Sequence, residues 1–355
     1  MQIVLLILGI TAILVMLNMW VAATFVFSGD DHSEYDSAAY PLMSKSEESE
    51  EHKAAAQEIA DALANPPAKG KKLLDEMRIQ LDKKGLAAKI SSQVRNAKLD
   101  DVPAEWLIAG KADPNRRLLY IHGGGYVMGS PKSHRAIASR LSELSNCAVL
   151  SIDYRLMPEC KRKEGIEDCQ TAYRWILDNG PDGAASVETL IVAGDSSGAN
   201  LALATIAWAR DEDLKPANAV VAMSPQTDLT WSSPSLKKNA DSDVMQGKLI
   251  APIAQAPKVI SLWLTLAMHR MNPSNPQMSP LLGDLSNLPP TLLQASEVEV
   301  FLDDAVRYAN KAKAHGSIAK LQVWPHTMHA WHAFDCPETD EACKEIETFL
   351  VKHAG

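Results

Sequence analysis

The chain has 355 residues, of which 46% are hydrophobic, and 35 Lys and Arg stand against 44 Asp and Glu for a formal net charge of −9. Such a length and apolar content fit a globular protein with a full core, and an α/β domain of about 250 residues or more takes most of it. The acidic balance argues against a nucleic-acid partner, which would favour a basic face. Five cysteines (Cys147, Cys160, Cys169, Cys336, Cys343) are too few for a disulfide scaffold and include no zinc-type Cys-x-x-Cys pair. Cys160 with Cys169, and Cys336 with Cys343, are near enough in sequence to bridge; spacing alone leaves both pairs open.

The N-terminus is different in kind. Ile3 to Phe27 holds no charged side chain, and it is long enough to cross a bilayer as a tilted helix. A signal peptide cleaved near Ala23 is the rival reading, but its apolar region should be shorter and preceded by Lys or Arg. Residues 1–28 are therefore expected to form a transmembrane anchor. The next stretch, residues 28–52, carries eight Asp and Glu against one Lys, Lys45. Lack of positive charge on that side favours its translocation and places the rest of the chain on the non-cytoplasmic face. Residues 29–52 also read as an acidic, solvated linker with little to bury.

Beyond His52, helical patterns cover Ala54–Ala64 and Lys71–Lys83, broken by Asn65-Pro66-Pro67. Strand-like and helix-like segments then alternate. Arg117–Ile121 reads as a strand, Lys132–Leu144 as a helix, Cys147–Tyr154 as a strand and Ile166–Leu177 as a helix. Thr189–Ala193 is a strand, Ala199–Arg210 a helix, and Ala219–Met223 and Thr291–Ala295 are strands. Phe301–His315 is helical, Lys320–Trp324 a strand and Asp340–Lys352 a closing helix. Alternation on this scale predicts an α/β fold, a mostly parallel sheet covered on both faces, with ligands bound beyond the carboxyl ends of its strands. Residues 53–100 and 232–280 break the alternation, the second with an apolar run Val259–Met271. Long insertions of this kind are usually functional, and both read as a helical cap above the strand ends, with peripheral packing against the sheet as the alternative.

Three motifs lie at predicted strand ends. Gly194-Asp195-Ser196-Ser197-Gly198 sits between a strand and a helix, the setting of a nucleophile elbow that exposes a serine hydroxyl on a sharp turn. His122-Gly123-Gly124-Gly125 follows the strand ending at Ile121, and three unshielded backbone N–H groups there suit a developing oxyanion. Pro325-His326-Thr327-Met328-His329-Ala330-Trp331-His332 follows the last strand and offers three histidines as a general base. The loop after Thr291–Ala295 supplies Glu297, Glu299, Asp303 and Asp304, where the acid that orients the base should fall; acidic residues at a helix start also suit the helix dipole.

With these motifs the chain resembles the hormone-sensitive-lipase-like α/β-hydrolases, particularly their bacterial esterases. The likeness runs from about Leu118 to the C-terminus. It is carried by the two glycine motifs, by Asp153-Tyr154-Arg155-Leu156 with Pro158-Glu159, by Ser224-Pro225-Gln226-Thr227-Asp228-Leu229 and by Met328-His329-Ala330-Trp331-His332. The resemblance implies that residues 53–355 form the hydrolase domain, with Ser196 as nucleophile and His329 as base. It puts the oxyanion hole at the N–H groups of Gly123, Gly124 and Ser197. It also implies acyl transfer to water from a small or medium ester, with no cofactor and no metal. A silent small-molecule-binding protein, as in the plant gibberellin receptors of this family, and a deacetylase are the alternatives.

The chain departs from the family at three places. Glu299-Val300-Phe301-Leu302-Asp303-Asp304 occupies the position of Asp-Pro-Leu-Arg-Asp-Glu, which puts Glu299 at the catalytic acid with Glu297 as runner-up. Ser197 stands where Ala or Gly is usual, with its backbone N–H retained. Cys160-Lys161-Arg162-Lys163-Glu164 replaces a hydrophobic, proline-containing stretch.

Overall fold

A computed structural model of the chain describes residues 2–37, 40–43, 47–66 and 70–355; Lys45 and Pro67 lie outside the described residues. The first helix, α1 (Gln2–Ala22), continues as a π-helical turn, Ala23–Phe27. Within it Ile10–Phe27 is long and apolar enough to cross a membrane and is almost entirely unburied. Helices α2 (Glu50–Ala64) and α3 (Lys71–Ala87) follow. Ser49 caps α2 by accepting from the His52 N–H at 3.1 Å.

The expected solvated linker is instead tied to the body. Arg307 holds the Asp36 carboxylate through two nitrogens at 2.5 and 3.1 Å, and Asn310 donates to the Tyr35 carbonyl at 2.9 Å. The Met43 N–H donates to the Val323 carbonyl at 2.9 Å, and the Ser49 N–H to Glu338 at 2.7 Å. The acidic run looked solvated because the groups that hold Tyr35, Asp36, Met43 and Ser49 lie far along the chain.

The sheet has eight strands. In chain order they begin with β1 (Gln93–Leu99), β2 (Val102–Ile108), β3 (Asp113–Ile121) and β4 (Cys147–Ile152). A two-residue hairpin, β5 (Asn179–Gly180) and β6 (Gly183–Ala184), stands apart. The sheet resumes with β7 (Thr189–Asp195), β8 (Ala219–Met223), β9 (Thr291–Ser296) and β10 (Ala319–Trp324). Their lateral order is β1-β2-β4-β3-β7-β8-β9-β10. Among the described residues of this sheet only the β1–β2 and β2–β4 pairs are antiparallel; from β4 through β10 in the lateral order every neighbouring pair is parallel.

Between strands run α4 (Arg135–Ser145), α5 (Arg162–Asp178), α6 (Ser197–Asp211) and α10 (Leu302–Ala314), and α11 (Pro337–Ala354) follows the last strand. The period of two along β3 sorts them. Leu118 and Tyr120 join the core layer of α4 and α11, and Leu119 and Ile121 join that of α5, α6 and α10. Both faces are thus covered, as a mostly parallel sheet requires. The β8–β9 connection carries α7 (Ser235–Lys238), α8 (Gly247–Ala254) and α9 (Lys258–His269).

The first cap segment needs correction: Gln93–Leu99, placed in the cap over 53–100, is the outermost strand of the sheet. The mixed polarity of Gln-Val-Arg-Asn-Ala-Lys-Leu hides the period of a strand whose edge is wet. Helix α3 does sit over strand ends: Arg78 donates to the carbonyls of Val127 and Met157 at 2.7 and 2.9 Å, in the segments after β3 and β4. All five cysteines are free thiols.

Candidate active site

Ser196 lies between the end of β7 and the start of α6, at the N-cap position, with φ +51° and ψ −121°, a conformation few L-residues adopt. The turn is tight enough that a Cβ on Gly198 would lie 2.1 Å from the Ile121 carbonyl oxygen. The Ser196 N–H donates to Met223 O of β8 at 2.8 Å, and its Oγ stands 2.8 Å from His329 Nε2. On the other side of the ring, Nδ1 is 2.6 Å from Glu299 Oε2. A carboxylate only accepts, so Nδ1 carries the proton and Nε2 is free to accept from the serine hydroxyl. Glu299 is fully buried and His329 is 1% exposed, so the ion-dipole relay runs in a water-poor setting. Burial pushes the His329 pKa down, but the hydrogen bond and charge of Glu299 outweigh it and raise it above the ordinary 6.5.

Both loops are fastened from below. The second oxygen of Glu299 accepts from the Ser296 N–H at 2.9 Å. Asn239, in the β8–β9 insertion, donates to the carbonyls of Glu297 and Glu299 at 2.9 and 2.8 Å, and Asp243 accepts from Val300 N–H at 3.0 Å. On the histidine loop, His52 Nε2 accepts from Met328 N–H at 2.9 Å and Ser224 Oγ from Ala330 N–H at 3.0 Å. The Phe301 ring meets His329 edge-on at 5.5 Å.

The other sequence candidates lie elsewhere. Glu297 is half-buried and its backbone N–H donates to Trp324 O at 2.8 Å, while the carboxylate against His329 is that of Glu299. Asp303 accepts from Ser235 N–H at 2.7 Å, and Asp304 from Thr227 and Asp228 N–H at 2.7 and 2.9 Å. His326 is exposed. His332 pairs with Gln294 at 2.8 Å, and burial pushes its pKa down to about 3.

The glycine loop departs from expectation at one residue. Because β3 and β7 are neighbours with Ile121 opposite Gly194, the loop after β3 stands beside the elbow. There the Gly123 N–H is spent on Asp195 Oδ1 at 3.0 Å. That same oxygen accepts from the Tyr120 hydroxyl at 2.5 Å, and His134 lies 3.6 Å from the other oxygen. Burial raises the Asp195 pKa, but His134 and the Tyr120 hydrogen bond more than offset it and hold it below the usual carboxylate range. Gly123 therefore has no amide to offer an oxyanion. Gly124 and Gly125, at φ +117° and +61°, have N–H groups without an acceptor among the described residues, and Ser197, as the first residue of α6, has no intrahelical acceptor for its own.

The loop supports Asn239, Asp243 and His52 are absent from the sequence reading. None lies near a motif, and His52 is 276 residues from its partner. Asp195 alone had a signal, its place inside the serine motif. Among the described residues no group of three or more His, Cys, Asp and Glu is arranged to hold a metal ion.

Residues 118–333 match the family described as alpha/beta hydrolase fold. A solved esterase of the bacterial hormone-sensitive lipase family superposes with a TM-score of 0.75 at 31% identity, covering 87% of this chain and 100% of that one. The chain belongs to the hormone-sensitive-lipase-like α/β-hydrolases. This hydrolase is also 34% identical over 255 residues to an acetyl-hydrolase of Streptomyces hygroscopicus, covering 71% of this chain and 80% of that protein. It is 35% identical over 240 residues to the carboxylesterase/phospholipase LipF of Mycobacterium tuberculosis, covering 66% and 61%. With an esterase of Acinetobacter venetianus it shares 32% identity over 262 residues, covering 73% and 82%. It is an enzyme of the carboxylesterase/lipase type.

Proposed function

We propose that the hydrolase cleaves carboxylic esters of small to medium acyl chain through Ser196, His329 and Glu299. The observation that carries this reading is the unbroken relay from Ser196 Oγ to His329 to Glu299, at 2.8 and 2.6 Å. His329 Nε2 takes the hydroxyl proton as Ser196 Oγ attacks the ester carbonyl. The tetrahedral oxyanion rests on the N–H groups of Gly124, Gly125 and Ser197. Collapse expels the alcohol with the proton held on Nε2, leaving an acyl-serine. Water then attacks with His329 again as base, releasing the acid. Glu299 keeps the imidazole in the required tautomer and stabilises the imidazolium as it forms.

In the same reading residues 3–27 remain as a membrane anchor, and the low positive charge after them puts the catalytic domain on the non-cytoplasmic side. Full-length protein in detergent is expected to hydrolyse p-nitrophenyl esters, with a preference across acyl lengths. No turnover at any length would contradict the proposal and favour a silent binding protein. An acetyl anilide assayed in parallel separates ester cleavage from deacetylation of an amide.

A further inference from the structure

Helix α9 is amphipathic in the wrong sense for a helix facing water. Its buried face carries Ser261, Thr265 and His269, at four-residue spacing, together with Leu262. Its outer face carries Ile260, Leu264 and Met268 at the same spacing, 50%, 43% and 57% exposed, and Leu249 of α8 is exposed beside it. A surface helix normally turns its apolar stripe to the core. Together α8 and α9 are apolar enough to count as a membrane span, but they bend by 118°. At eight and twelve residues, neither reaches across a hydrocarbon core of about 30 Å.

What covers this face is indicated by its neighbour. The end of the apolar N-terminal helix packs directly on α9: the Phe27 and Trp263 rings meet edge-on at 5.1 Å, and Trp263 Nε1 donates to the Met19 carbonyl at 3.1 Å. Just after α9, Asn272 and Ser274 both donate to the Val26 carbonyl, at 3.1 and 2.9 Å. Whatever depth Met19–Phe27 occupies in a bilayer, Trp263 shares it, and an indole with its N–H bonded suits the membrane–water boundary. Charge points the same way. Residues 244–283 contain Lys248, Lys258 and Arg270 and no Asp or Glu, in a chain of net charge −9, and none of the three is ion-paired among the described residues.

We propose that α8 and α9 lie in the plane of an anionic lipid surface, their outer faces buried at the headgroup–acyl boundary beside the α1 span. This rests on the anchor reading of residues 3–27. The seat adjoins the chemistry: Ile250 and Ala254 of α8 pack with Leu236, Val300 and Phe301, and Phe301 is the ring against His329. A lipid surface under α8 and α9 therefore sits one packed layer from the catalytic base.

The test uses full-length protein in which Cys160, half-buried, is changed to serine, the other four thiols being buried. A single environment-sensitive fluorophore is placed on a cysteine at Leu264→Cys, Leu14→Cys or Lys352→Cys. Lys352 is exposed near the end of α11, whose Ala354 carbonyl bonds Arg116 at the amino end of β3, opposite the site. In phosphatidylcholine–phosphatidylglycerol vesicles carrying doxyl-labelled lipid, the Leu14 and Leu264 labels are expected to lose emission, and the Leu264 label more to a shallow doxyl than to a deep one. The Lys352 label is expected to keep its emission. Quenching at Leu14 without quenching at Leu264 overturns the proposal and leaves the anchor standing. Quenching at neither overturns both. A Leu264 label that shifts to the blue but is not quenched shows a second protein copy on this face and also overturns it.

Discussion

Glu299 has one methylene more than the aspartate of the family pattern the chain resembles. Its oxygens divide between His329 Nδ1 and the Ser296 N–H, so the carboxylate is held at both ends. Replacing it by glutamine keeps the shape but presents a neutral group, which removes the charge that stabilises the imidazolium. Glu299→Gln is expected to lower kcat by about 10²–10⁴-fold, whereas Glu297→Gln, away from the ring, should stay within a few-fold of wild type. Steady-state kinetics on a p-nitrophenyl ester checks both, and the reverse order would move the acid to Glu297. The pH profile carries a second sign. The base must be neutral, and Glu299 raises the His329 pKa above 6.5, so kcat/KM should rise with pH along a limb centred above that value. In Glu299→Gln the raising interaction is gone while burial remains, and the limb should move to lower pH.

Ser196, His329 and Glu299, proposed here as nucleophile, base and acid, could be singled out in the sequence because each lies just beyond a strand end, and the fold brings the three side chains together. The amides of the glycine loop were not legible in the same way. Three consecutive glycines look alike in sequence, and only the Asp195 carboxylate, 72 residues on, decides that Gly123 faces the scaffold.

At the scale of elements, strongly periodic segments were readable and the supports between them were not. Strands β4 and β7 to β9, with the second half of β3, are buried on both faces, which gives a clear signal. Strand β1 alternates weakly at an edge. Helix α2 was visible as a helix, but its docking through His52 beside the histidine loop depends on a tertiary contact. His52 is 1% exposed and accepts the Met328 N–H while its Nδ1 meets Glu48 at 2.6 Å. His52→Ala leaves that N–H buried and unpaired, a cost of about 1–3 kcal/mol. Because Met328 precedes His329, kcat should fall together with stability in denaturant unfolding. Full activity at unchanged stability would show that α2 does not support the loop.

At the scale of the whole molecule, the N-terminal part of the chain is tied to the body at several places. The N-terminal helix leans on α9, Tyr35 and Asp36 are held by α10, Met43 by β10 and Ser49 by α11, and α2 closes on the histidine loop. Local composition read the first as a span and the second as a tether. The pinning escaped it because Asp36 and Arg307 are 271 residues apart. The proposed chemistry makes Ser196 the acylated nucleophile. The most direct measurement is intact-mass and peptide mapping of the full-length protein after reaction with a fluorophosphonate. One adduct per chain, on the peptide containing Ser196 and absent from Ser196→Ala, is the expected result. Labelling that persists in Ser196→Ala, or an adduct mapped to another serine, would contradict it.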